Sequence, residues 1–154
     1  MKLSIKLVLV FITLLTFDAS AANTTFNHKG IQKGAESFSC YRDPCSVVKV
    51  MNFELLKSTS NYKLIKLKVV GGRQGWDSEK TIWNHHFHDI YITCSLKKPS
   101  VKNGDQTTII PINRQMAVPG VLYADTTLYL NACHNFQGES TDAAKKYGYN
   151  VKEF

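Results

Sequence analysis

This chain lacks most of what makes an enzyme readable. There is no G-x-S-x-G nucleophile elbow and no H-E-x-x-H zinc motif. "GGRQG" (71–75) is glycine-rich, but the lysine and hydroxyl of a phosphate-binding loop do not follow it. The four cysteines lack the paired-knuckle spacing of a structural zinc site. No internal repeat and no low-complexity segment occurs. Beyond residue 21 no apolar run is long enough to cross a bilayer, which takes about 20 residues. These absences exclude no activity outright. They leave a catalytic reading without a signature, and no cofactor is expected.

What is present begins with an export signal. Lys2 and Lys6 form a basic n-region, Leu7 to Phe17 an apolar stretch, and Ala19-Ser20-Ala21 a small-residue cleavage site. Residues 1–21 are read as a signal peptide, with the mature chain starting at Ala22 and destined for the periplasm or the extracellular medium. Removing Lys2, Lys6 and Asp18 leaves 17 basic and 11 acidic residues, a net charge of +6. No cysteine stands close after the cleavage site to take a lipid. Asn23-Thr24-Thr25 matches the glycosylation acceptor pattern, which matters only in a eukaryote.

Four cysteines in an exported chain imply two disulfides. Three pairings are possible; the reading here is Cys40–Cys45 and Cys94–Cys133. Asp43-Pro44 favours a turn inside "CYRDPC". Cys94 and Cys133 each close a strand-like run, "DIYITCS" and "TLYLNACH". Loop-closure entropy assigns about 4 kcal/mol to the long link and about 2 kcal/mol to the short one.

The expected fold is mainly β (α+β): one small domain with an antiparallel sheet and a short C-terminal helix. Residues 22–39 read as a polar, loosely held arm and 40–154 as the disulfide-linked β-rich domain. Ile65, Leu67 and Val69 alternate with Lys66 and Lys68, the period of a half-buried strand. The turn cluster Ser58-Thr59-Ser60-Asn61 should join that strand to 46–57 as a hairpin. Residues 71–80 and 97–106 read as loops, 82–95 and 107–112 as strands, and 127–134 as the last strand. Ser140 or Thr141 can cap a helix over "DAAKKY" that Gly148 stops.

"WNHHFHD" (83–89) concentrates three histidines. On a strand, His86 and His88 share a face and lie about 7 Å apart. That pair can hold a metal only with further ligands. If Cys94 and Cys133 are bonded across neighbouring strands, His134 points to the opposite face and could supply one only through a bulge or another topology. His28 lies in the arm. A metal-independent nuclease needs two histidines and a cation around a phosphate, and nothing in the spacing places them. Nucleic-acid binding needs a patterned basic and aromatic surface; here the lysines are scattered along the chain.

The remaining chemistry is recognition. "GGRQGWDSEK" carries Arg73 and Trp76, residue types enriched at binding hot spots, and Trp83 follows. "KKPSVKNGDQ" carries Lys97, Lys98 and Lys102. If both loops lie at one end of the sheet they make a basic, aromatic-tipped surface for an acidic protein partner. The function expected is therefore a small exported binding protein, an inhibitor or immunity-type protein that neutralises a toxin or hydrolase. The alternative is a histidine-based, nuclease-like enzyme or metal binder using His85–His88.

Overall fold

A computed structural model describes residues 26–152. The signal-peptide reading and the Asn23 acceptor lie outside them. Six antiparallel strands form one sheet in sequence order: β1 (Glu36–Ser39), β2 (Cys45–Ser58), β3 (Lys63–Gln74), β4 (Ile82–Cys94), β5 (Ser100–Asn103) and β6 (Gln106–Ile109). Two helices follow, α1 (Tyr123–His134) and α2 (Ser140–Tyr147). The mainly antiparallel class, the short terminal helix and both disulfides agree with the reading above.

The expected hairpin is the centre of the sheet. Thr59 N–H donates to the Tyr62 carbonyl at 2.8 Å, closing the β2–β3 turn. Ile65, Leu67 and Val69 are fully buried on one face, where they meet Ile90 and Ile92 of β4. The intervening Lys66 and Lys68 turn to the other face, as a period of two requires. The three long strands are flanked unequally. β1 covers only Ser46–Lys49 of β2, and β5 covers only Ile90–Thr93 of β4. Register shifts between Val50 and Asn52 and between Leu55 and Lys57 bulge β2. A third break sets Val70–Gly72 of β3 against Phe87–Trp83 of β4.

Three expectations change. Residues 127–134 are not a strand: they form most of α1. Leu128, Tyr129, Leu130, Ala132 and Cys133 are all buried. A helix buried all round has no polar stripe and reads locally like a buried strand. Thr126 and Thr127 satisfy their hydroxyls on the carbonyls of Leu122 and Tyr123, one turn back. Asn135, left-handed at φ 50°, ends the helix with its N–H on the Asn131 carbonyl at 3.0 Å. Cys133 thus reaches Cys94 from a helix rather than a neighbouring strand. Second, part of each expected loop is strand: 71–74 continue β3, and 100–103 are β5, turned by Gly104 at φ 57°. Third, Ser140 does not cap α2. Its Oγ accepts from Val118 N–H at 3.2 Å, while Gly148, at φ 83°, does stop the helix.

From Phe26 onward the polar N-terminal segment is docked rather than loose. Ile31 is fully buried. Asn27 N–H donates to the Cys133 carbonyl at 2.8 Å, and Asn131 Nδ2 donates to the Gly30 carbonyl at 3.0 Å. A Cβ on Gly30 would lie 2.1 Å from Asn131 Oδ1, so only glycine admits this approach. The core fills the space between the sheet face bearing Ile65 and Leu67, helix α1, Ile110, Ile112, and the C-terminal Ala143, Ala144 and Tyr149. Each fully buried isoleucine or leucine contributes about 2 kcal/mol.

Candidate recognition surface

Two loops meet at one end of the sheet. The first is the ring closed by Cys40–Cys45; the second is the 75–81 connection carrying Trp76. Cys45 lies opposite Gln74 in the ladder, which brings their bases together. Asp43 Oδ1 then accepts the Trp76 backbone N–H at 3.0 Å. The second loop is also laced internally: Gln74 Nε2 donates to the Ser78 carbonyl at 2.6 Å and Thr81 Oγ1 donates to Gln74 Oε1 at 3.0 Å. Trp76 nevertheless remains 63% exposed. A large aromatic held outward on a backbone fixed from both sides is pre-organised for contact, since little further ordering is needed on binding.

On the other side of the ring, Tyr41 lies across Gly120. A Cβ there would sit 2.2 Å from the ring, so a side chain at this position would push Tyr41 aside. The Arg42 guanidinium stands 5.7 Å from the Tyr41 ring centre. Grooves flank Tyr41, one reaching Pro44, Ser46 and Val121, the other Val118, Tyr123 and Ser140. Val121 is 88% exposed. Tyr41, Arg42 and Val121 are contributors that the sequence reading missed. A short ring around Asp-Pro signalled a turn but not what its side chains lean on.

Arg73 is exposed, between Ser46 and Ile82 in the ladder. Trp83 belongs to the same end but to the opposite face, the one the helices leave uncovered. It packs over Gly72, where a Cβ would come within 2.8 Å of its ring. Lys49 Nζ lies 5.4 Å from that ring and 3.0 Å from Glu36 Oε1. Val47 and Val70 are buried on this face although no helix of the described residues covers it. Their cross-strand neighbours Phe38 and Phe87 remain substantially exposed.

Lys97 and Lys98 do not join this group. Both follow the far end of β4, where their backbone N–H groups donate to Ser95 Oγ at 3.3 and 3.2 Å. Trp76 precedes the near end. Thirteen strand residues separate the two loops, about 40 Å at the usual rise per residue. The condition for one basic, aromatic-tipped surface is therefore unmet. Around Trp76, Arg42, Arg73 and Lys80 alternate with Asp43, Asp77 and Glu79.

The histidine segment is irregular. His85 takes φ 57° at the β4 register break. His86 N–H donates to Asn84 Oδ1 at 2.9 Å, and His88 Nδ1 lies 3.4 Å from the His86 carbonyl. Strict alternation holds from Phe87 to Cys94 and fails across 84–86, so the face assignment of His86 does not carry through. Among the described residues, no three histidine, cysteine, aspartate or glutamate side chains gather closely enough to hold a metal ion.

The other two histidines lie around α1. His28 Nδ1 donates to the Ala132 carbonyl at 2.7 Å. His134, 4% exposed, contacts Tyr149 Oη through Nε2 at 2.6 Å. Tyr149 continues to Tyr129 Oη at 2.8 Å, and Tyr129 donates to the Ser95 carbonyl at 3.2 Å. Burial drives the His134 pKa down to about 4, and the charges of His28 and Lys146 add to the effect. Burial also raises both tyrosines far above the usual phenol range, so they stay protonated. This chain of hydroxyls ties the β4–β5 connection and helix α1 to the C-terminal segment; it is enclosed, and its chemistry is structural.

No family model, no curated protein and no solved structure matches this chain. Its function is argued from the surface alone.

Proposed function

We propose that the chain is a small exported recognition protein, an inhibitor or immunity-type protein that blocks a toxin or hydrolase in the periplasm or outside the cell. The observation that carries this reading is the exposed Trp76 indole on a loop fixed to the disulfide ring through Asp43. Arg73 and Arg42 lie on the same end, and tryptophan and arginine are the residue types that most often dominate binding energy. The two disulfides are compatible with export. The histidine-based alternative has less support, because the register break at His85 leaves no aligned pair with a third ligand.

The test is capture of the partner by oxidised protein spanning residues 22–154, identified by mass spectrometry, followed by titration with Arg73→Ala/Trp76→Ala. The double variant should keep its fold and lose at least a hundredfold in affinity, about 3 kcal/mol, as two hot-spot residues imply. Unchanged affinity refutes this surface as the contact.

A further inference from the structure

The lysines that look scattered in the sequence are gathered by the sheet. Register places Lys66 between Glu54 and Tyr91, Lys68 between Asn52 and Asp89, and Lys102 opposite Tyr91. Lys57 lies opposite Leu64, on the same side. All four therefore project from the uncovered face, since Ile65, Leu67 and Val69 occupy the other. Lys66 bridges Asp89 at 3.0 Å. Lys57, Lys68 and Lys102 are exposed and have no carboxylate within bridging distance among the described residues. Lys63, Lys97 and Lys98 add charge around the far end of the same strands. Among the described residues, register sets Glu54 and Asp89 on the face beside them, and Asp105 lies in the β5–β6 turn.

This face has a second character at its other end. Trp83, Phe87 and Phe38 stand on it over the buried Val47 and Val70. It is thus cationic along one half and aromatic along the other, and among the described residues no element packs across it. The cations are all lysine; Arg42, Arg73 and Arg114 lie elsewhere. Arginine forks are the usual device for reading individual phosphates, whereas lysines supply point charge. Lysine nitrogens already neighbour both nearby tyrosines, Lys66 Nζ at 5.9 Å from the Tyr91 ring centre and Lys57 Nζ at 5.8 Å from that of Tyr62. A diffuse lysine field beside tryptophan and phenylalanine fits a charged interface better than a polymer read residue by residue. Lysine near an anionic bilayer is attracted by its surface potential, and tryptophan favours the headgroup region.

We propose that the uncovered face of the sheet docks on an anionic lipid surface, lysines against the headgroups and the Trp83 end at the interface. This contact uses a different face from Trp76 and Arg73 and stands without the partner-blocking reading.

The probe is vesicles of phosphatidylcholine alone or mixed equally with phosphatidylglycerol, added to the oxidised mature protein. Binding should appear only with the anionic vesicles and weaken as salt is raised. Lys57→Gln/Lys68→Gln/Lys102→Gln should reduce the partition constant by about a hundredfold, from about tenfold or less per lysine, with an unchanged circular dichroism spectrum. The chain holds two tryptophans, so Trp76→Phe leaves Trp83 as the sole reporter, and its emission should move to the blue on binding. No binding to anionic vesicles, an unaffected triple variant, or an unmoved Trp83 emission each overturns the proposal. Tighter, salt-sensitive binding to a single-stranded oligonucleotide than to vesicles also overturns it, by assigning the face to nucleic acid.

Discussion

Acid should destabilise this protein through His134, well above the pH at which most carboxylates titrate. The imidazole is buried against Tyr147, with ring centres 3.9 Å apart and planes 15° from parallel, and its Nε2 is engaged by Tyr149. Among the described residues its Nδ1 has no hydrogen-bond partner. An added proton therefore creates a buried cation whose new N–H finds no acceptor, facing His28 and Lys146. The folded pKa is about 4, below the ordinary 6.5. Between those values the unfolded chain binds the proton and the folded one does not, so stability falls as pH falls. At about 1.4 kcal/mol per unit, the loss approaches 3 kcal/mol by pH 4 and is absent above pH 6.5. Urea unfolding at steps from pH 7.5 to 4 measures it, with His134→Gln as the comparison. Glutamine keeps an amide near Tyr149 but cannot titrate. The variant should be weaker at pH 7.5 by about 1–3 kcal/mol, and the gap should shrink, and can reverse, as the pH falls. A gap that stays constant across the range refutes the reasoning, because every other titrating group is common to both proteins.

Tyr149→Phe should cost about 1–3 kcal/mol in urea unfolding, since it leaves both His134 Nε2 and the Tyr129 hydroxyl short of a buried partner. Cys94→Ala/Cys133→Ala should lower stability by about 4 kcal/mol and Cys40→Ala/Cys45→Ala by about 2 kcal/mol, in line with 39-residue and 5-residue separations; equal losses from both pairs contradict the loop-length account. Gly72→Ala should cost about 1–3 kcal/mol by overpacking and shift Trp83 emission to the red, because the new methyl group displaces a ring 2.8 Å away; an unaltered spectrum means the indole is not seated there.

The parts of the fold legible beforehand are those where one face is wet. The Ile65–Val69 alternation and the Ser58–Asn61 turn identify the β2–β3 hairpin because the intervening lysines report the pleat. Residues 127–134 read as a strand because α1 is buried all round from Leu128 to His134, so its apolar run carries no period. The Cys94–Cys133 pairing is legible whether that run is strand or helix, since it depends only on two cysteines at element ends. Arg73 and Trp76 were identifiable by residue type. Their link to Tyr41 and Arg42 was not, because it depends on Asp43 reaching across 33 positions to Trp76. The lysine face was invisible for a related reason. Only strand register turns positions far apart in the chain into neighbours, and register across bulges is not written in composition.

The three bulges have a further consequence. Each falls where a long strand has no outer neighbour: Met51 and Leu56 on β2 lie beyond the reach of β1, and 84–86 on β4 lie beyond β5. Such stretches present a regular row of peptide groups onto which another molecule's strand can add, the first step of fibre growth. A bulge disrupts that row and twists it away, and at β4 the Asn84 side chain also occupies the His86 amide. The irregularities thus act as guards against polymerisation along long, partly bare strands.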